Sequence, residues 1–368
     1  MHQKPSEVRI MAYTTINDPS AHFHIELYTG NGDARNITND ANAGDFKPDL
    51  LWIKERTSTS NQMVMDSSRA GDWNRLNPNL SSAEITTDPA VLGITDGFSL
   101  SASDNGLNED TETYVAWQWK ANGGTTTTND ASATSIGDQD SVYQANTTSG
   151  FSIVTWSGSN GVNTMAHGLG AVPNVIIIKA LAGTEAWGVY HHKNTSAPET
   201  DFLRLDTTAA TSDSTTLMND TAPTSTIFTV GDSGTANEVG KTYVSYQFAE
   251  KQGYSKFGKY TGNGNADGPF VYTGFKPAWL LIKPSSIVEE WRLYDNRRSP
   301  FNVVDDQLYP NTGDDEGASS SYYIDFLSNG FKILSSHGGI NTNNSTNVYM
   351  AFAESPFVTS NGSPGNAG

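Results

Sequence analysis

Few residues in this chain combine a type and a spacing that could do chemistry. Two acidic clusters stand out, Asp305-Asp306 and Asp314-Asp315-Glu316. Paired carboxyls roughly 5–9.5 Å apart would suit glycoside hydrolysis, and loop carboxylates could ligate Ca²⁺. No EF-hand spacing accompanies them. In a chain with 40 Asp+Glu, such pairs also follow from composition alone, so the sequence predicts solvated acidic loops. The seven histidines do not assemble a metal set in the sequence. His22 and His24 would share one strand face, His191 and His192 would point apart, and His167 and His337 are isolated, whereas a zinc site needs three or four convergent ligands. No GxSxG or HExxH motif is present. The sequence therefore nominates no catalytic residue, no metal ligand and no cofactor, and predicts a protein that is not an enzyme.

The aromatic residues are the remaining candidates: eight Trp, fifteen Tyr and fifteen Phe. Trp73, Trp187, Trp291, Tyr294, Tyr309, Tyr322 and Tyr323 lie outside clean alternating runs. Ring faces beside Asn, Asp and Arg can stack on a pyranose while the polar groups take its hydroxyls. The same residue types serve subunit interfaces and cores. These seven are the candidate glycan or interface contacts.

The elements that must position them recur three times. An aromatic precedes a Gly turn at Tyr28-Thr-Gly30-Asn-Gly32, Trp156-Ser-Gly158 and Tyr260-Thr-Gly262-Asn-Gly264. A Pro opens an apolar run ending in Lys at Pro48–Lys54, Pro173–Lys179 and Pro277–Lys283. An aromatic-rich alternating run follows at Tyr114–Trp119, Tyr243–Phe248 and Asn347–Phe352. Between the second and third copies all landmarks are offset by 104 residues; between the first and second the offsets are 125 to 129. Val115, Trp117 and Trp119 share one strand face, as do Val244, Tyr246, Phe248 and Val348, Met350, Phe352. The Pro-initiated runs are apolar on both faces, which suits central strands. The Gly turns read as tight hairpins, since Asn-Gly supplies positive φ. Lys54, Lys179 and Lys283 read as solvated strand ends.

These patterns predict an all-β chain of three tandem antiparallel β-sandwich repeats, jelly-roll or lectin-like, each of about 100 residues. The expected boundaries are 1–120 with an N-terminal extension, 149–253 and 254–357, with a Gly/Ser/Thr-rich linker at 121–148 and a tail at 358–368. Composition narrows the partners. There are 22 Lys+Arg against 40 Asp+Glu, a net charge of −18, which opposes binding to nucleic acid and to anionic membranes. No apolar run approaches about 18 residues, the polar start predicts no secretory leader, and without cysteine there is no disulfide or thiol chemistry.

The chain resembles a family of bacteriophage virion structural proteins, especially marine ones. The resemblance rests on the opening Met11–Phe23, on Leu27-Tyr-Thr-Gly-Asn-Gly32, Pro48–Lys54, Met65-Asp-Ser-Ser-Arg69, Asp96-Gly-Phe98 and Thr113–Lys120, and on Ala166-His-Gly-Leu-Gly-Ala-Val-Pro-Asn-Val-Ile-Ile-Ile-Lys179. It places Met11 as the usual start. The second copy replaces the Asp-Ser-Ser-Arg segment with Trp187-Gly-Val-Tyr-His-His192, and the third has Trp291–Arg298 there. The resemblance implies tail-fibre-like or lectin-like sandwiches within a virion: a tail fibre, spike or tail-attached appendage, with other virion proteins and its own copies, a trimer foremost, as partners and host surface glycan as a possible contact. Its rivals are a capsid decoration or head-fibre protein and a polysaccharide depolymerase.

Overall fold

A computed structural model describes residues 13–40, 46–69, 73–86, 91–102, 106–318 and 321–365. The expected extension at residues 1–10 lies outside them. The chain is all-β, with several antiparallel sheets and helix limited to single turns such as Ala131–Thr134 and Gly338–Asn341.

One four-strand order occurs three times. In the first lobe it runs Phe23–Thr29, Thr113–Trp119, Leu50–Glu55, Met63–Asp66. In the second it is Phe151–Ser157, Thr242–Phe248, Val175–Ala180, Gly188–His191. In the third it is Ser255–Thr261, Thr346–Pro356, Phe275–Pro284, Arg292–Asp295. The pairing registers correspond: Trp52 faces Trp117, Ile177 faces Tyr246, and Leu281 faces Met350.

The two inner strands of each sheet are buried on both faces, because successive side chains point to opposite sides. On one side, Trp52, Trp117, Trp119, Ile177, Tyr246, Phe248, Trp279, Met350 and Phe352 meet in a single cluster drawn from all three lobes. On the other side each lobe has its own cluster, shared with a smaller sheet. Tyr114 and Ala116 pack with Phe98 and Leu100 in the first, Tyr243 with Phe228 and Val230 in the second, and Tyr349 and Ala351 with Phe331 and Ile333 in the third. The joint core is an aromatic network. Trp119 meets Trp279 edge-to-face at 5.7 Å and Phe352 at 5.7 Å, and Phe248 meets Phe352 at 5.8 Å. About 20 Å³ of apolar space remains at its centre.

Three expectations are corrected. The 121–148 segment is more than a linker: Thr127–Asn129 and Ser141–Asn146 add two strands to the second lobe's sheet, which thereby reaches eight. Its polar side chains suit outer strands, and Gln144 accepts hydrogen bonds from the Asn122 and Gly124 amides. The Gly turns do not close hairpins. Each redirects the chain from the main sheet to the smaller one, since Phe23–Thr29 pairs with Thr113–Trp119 while Arg35–Ile37 pairs with Gly97–Leu100. A Cβ on Gly30 would lie 1.9 Å from the Glu109 carbonyl and one on Gly262 2.2 Å from that of Thr342, so close backbone approach is what demands glycine there. Lys54, Lys179 and Lys283 are fully buried rather than solvated, for the reason given below.

Trp119→Ala removes a ring that all three lobes share. Urea unfolding should show a loss of about 3–5 kcal/mol, with circular dichroism and fluorescence transitions that stay coincident. Separate transitions for separate lobes would contradict a joint core.

Candidate functional site

The polar chemistry of this protein is concentrated at the three seams between lobes, where it follows a cyclic pattern. The residue before the fourth strand of each lobe reaches into the preceding one. Trp187 donates its indole N–H to the Asn77 carbonyl at 3.0 Å, and Trp291 donates to that of Arg204 at 2.8 Å. Gln62 holds the corresponding place in the first lobe and donates to the Tyr309 carbonyl of the third.

Two of the three lysines follow the same rotation. Lys179 donates to the Ser81 carbonyl of the first lobe at 3.0 Å, and Lys283 to the Thr208 carbonyl of the second at 2.9 Å. Lys54 donates to the Glu55 and Ser58 carbonyls, with Asp314, Asp315 and Glu316 of the third lobe supplying the nearby negative charge. Burial pushes each ammonium down to about 8. Backbone carbonyls, from a neighbouring lobe for Lys179 and Lys283 and from its own lobe for Lys54, replace the water that a strand-end lysine would otherwise keep.

A third set differs informatively among copies. Asp66 pairs with Arg69 at 2.6 Å, and Asp295 with Arg298 at 2.6 Å, both out of contact with solvent. Each carboxylate also takes a hydrogen bond from the next lobe: Tyr246 to Asp66 at 2.8 Å, and Trp117 to Asp295 at 3.0 Å. The second lobe has His191 and Asn194 at these two places. The position equivalent to Trp117 and Tyr246 in the third lobe is Met350, which has no donor, and His191 instead contacts the Tyr349 carbonyl at 3.1 Å. Where the donor is absent, the buried charge is absent too.

The predicted contacts divide accordingly. Trp73, Trp187, Trp291 and Tyr294 are buried and offer no ring face to a sugar; they pack the cores or close seams because their flanking strands have both sides covered. Tyr309, Tyr322 and Tyr323 are half-buried. The Arg292 guanidinium lies over the rings of both Tyr309 and Tyr322, at 5.2 and 3.9 Å, and Tyr322 meets His337 at 4.3 Å. The acidic clusters are committed in part: Asp314 and Asp315 are exposed, as expected of a solvated loop, whereas Glu316 and Asp306 have partners. Glu316 binds Arg56 and Arg298 at 2.6 and 2.9 Å, joining the first and third lobes, so it is no solvated loop carboxylate. Asp306 accepts from Ser299. Among the described residues, no group of three His, Asp or Glu is arranged to hold a metal ion.

One broad cleft of about 940 Å³ separates the first lobe's Arg69 and Glu84 from Asp138, Gln139 and Asp140 of the added strand region. Glu84 is paired with Arg69, Asp138 accepts from the Thr164 amide and Asp140 from the Ala131 amide. The cleft thus offers hydrogen bonding to hydroxyls. Its aromatic members, Trp156 and Tyr243, are 4% and 0% exposed.

Sequence reasoning missed Asn108, Asn237 and Asn341, which brace the Gly turns. Asn108 accepts from the Asn31 amide, Asn341 from the Asn263 amide, and Asn237 from the Ser159 amide. Their mutual offsets of 129 and 104 residues were the signal that could have found them.

The chain belongs to the DUF7483 family, described as a domain of unknown function, whose model matches residues 18–356. That span runs from just before the first lobe's first strand to the last residue of the third lobe's last strand. No curated protein sequence matches the chain.

Asp295→Asn should cost up to about 3–5 kcal/mol, because it removes the fully buried carboxylate of the pair and leaves the Arg298 guanidinium to Glu316 at the edge of the site. Asp295→His combined with Arg298→Asn, the second lobe's own pair, should cost less than the two single changes added together; a double-mutant cycle in urea measures this. The buried histidines set an acid response. Burial pushes His191 down to about 3 and His167 down to about 4, whereas an unfolded histidine titrates near 6.5. Below pH ~6.5 the unfolded chain takes up protons that the folded chain refuses, so stability falls by up to about 1.4 kcal/mol per pH unit for each histidine. Unfolding free energies between pH 7 and 5 should show this slope, and His191→Asn should reduce it.

Proposed function

We propose that this member of the DUF7483 family is a non-enzymatic structural protein of a bacteriophage virion, built of three tandem β-sandwich repeats and serving in a tail fibre, spike or tail-attached appendage that contacts host surface glycan. The observation that supports it most is the cyclic closure of the seams: each lobe lends a donor to its neighbour, and all three share one core. A single chain made rigid in this way suits a part that must keep its form outside a cell. The virion assignment rests on the resemblance of the repeat motifs to phage structural proteins. Its partners are other virion proteins and further copies of itself, a trimer being the simplest fibre arrangement. A net charge of −18 favours neither nucleic acid nor an anionic membrane as partner.

Capsid decoration or a head fibre is the second reading, because a unit whose three lobes share one core would also suit a capsid lattice. Copy number separates the two. Cryo-EM of the purified particle, with the chain located in the map, should place it at the tail in three, six or about twelve copies. Density over the whole capsid in hundreds of copies would replace the appendage with decoration. Absence from the particle would overturn both.

A further inference from the structure

We propose that a pocket of about 410 Å³ at the seam of the second and third lobes is a carbohydrate-binding site, extended along a strand edge by two exposed aromatic rings. This deepens the attachment reading, and rests on it only for where the sugar would come from. The pocket is bounded by Tyr13, Tyr272, Glu250, Lys256, Gln252 and Ser255. Its size falls within the range of small-ligand sites.

The rings are placed for contact and have no packing duty of their own. Phe270–Tyr272 is the outer strand of its three-stranded sheet. Val271 points inward and is buried, while Phe270 and Tyr272 point outward and are 47% and 54% exposed. Alternate residues lie about 7 Å apart along a strand, so the rings form a short platform leading to the pocket. The pairing registers identify their counterparts. Val271 faces Phe331 as Ile37 faces Phe98 and Met165 faces Phe228. Where the third lobe has Phe270, the first therefore has Asn36 and the second Thr164. The outward aromatics belong to this lobe alone, and a fold that forms without them elsewhere does not need them here.

The pocket is also held in shape before any ligand arrives. The Tyr13 hydroxyl donates to the Gly274 carbonyl at 3.0 Å and lies 3.1 Å from the Tyr272 hydroxyl. Thr14 donates to the Gln252 carbonyl at 2.7 Å. Gly274 has φ +86°, and a Cβ there would meet the Tyr13 hydroxyl at 2.6 Å, so the tyrosine can approach only over a glycine. On the opposite wall Lys256 pairs with Glu250 at 2.9 Å, and Glu250 accepts the Phe257 amide at 2.8 Å. A pyranose has an apolar C–H face and a rim of hydroxyls. The former matches the tyrosine and phenylalanine rings; the latter match Glu250, Lys256, Gln252 and Ser255. An apolar partner strand would instead cover this ion pair and these hydroxyls without satisfying them, and a second copy would bring another −18 of charge. The broad cleft between the first and second lobes lacks this combination, because its rings are buried.

The test is binding of the full chain to a microarray of defined neutral and acidic oligosaccharides, followed by saturation-transfer NMR with those that bind. Tyr272→Ala should weaken binding about tenfold or more and Phe270→Ala several-fold, both with unchanged melting temperature. Phe301→Ala removes a ring that is 82% exposed elsewhere and should leave binding intact. The proposal is overturned if the wild-type chain binds no glycan, or if Tyr272→Ala binds as wild type does. It is equally overturned if Phe270→Ala abolishes a concentration-dependent dimer while no sugar is bound. The attachment reading fails separately, by the chain's place on the particle.

Discussion

The structure depends on one constraint: three sheets must hide one face each, and they hide it against one another. Trp117, Tyr246 and Met350 sit at equivalent registers, and each turns toward the same interior. A lobe removed from the others would expose Trp119, Phe248 or Phe352 to water, at a cost of roughly 1.5–3 kcal/mol for each large side chain uncovered. The strands' opposite faces are already occupied by the lobe's own cluster. Burial on both faces therefore follows from the three-way arrangement, and with it the near-continuous apolar character of Leu50–Ile53, Val175–Ile178 and Leu280–Ile282.

Polar groups drawn into such a core must bring their partners with them. Here many of the partners come from the adjacent lobe, and the tryptophans and two of the lysines share one rotational sense. Trp187 and Trp291 reach backward to carbonyls of the preceding lobe, and Lys179 and Lys283 do likewise. The Asp–Arg pairs show how far this coupling goes. Two seams hold a buried carboxylate with a guanidinium and a donor from the neighbour; the third holds His191, Asn194 and the donor-free Met350. A carboxylate at 191 facing Met350 would lack both its cation and its donor, and the sequence supplies neither.

Much of this was legible in the sequence. Landmark spacing picked out the strands that recur in one order in the sheets, and alternation in Tyr114–Trp119 separated its two faces correctly. What a single strand's pattern cannot carry is the identity of the surface it meets. Trp187 and Trp291 looked like loop aromatics because their burial depends on carbonyls 110 and 87 residues away in sequence. Glu316 looked solvated for the same reason: it is paired with Arg56 of the first lobe, as Lys54 lies near the third lobe's Asp314, Asp315 and Glu316. The 121–148 segment looked like a linker because edge strands need few apolar residues. The outward pair Phe270 and Tyr272 did leave a signal, an aromatic–Val–aromatic alternation after Pro269, but its meaning emerges only when the register sets it beside Asn36 and Thr164.

In a chain whose lobes must all satisfy the same packing, function is best sought where they differ without structural need. The substitution of His191 and Asn194 is compensated at Met350 and so belongs to stability. The added strands at 127–146 extend one sheet and wall one side of a polar cleft, yet the cleft's carboxylates are bound to backbone amides or to Arg69. The aromatic edge of the third lobe is different in kind. Nothing in the core requires Phe270 or Tyr272 to be aromatic, exposure makes them a solubility liability, and the neighbouring Tyr13 is pinned over a glycine with positive φ. A costly feature that the fold does not need, held in a fixed shape beside charged and hydroxylated groups, is the part of this molecule most suited to meeting something outside it.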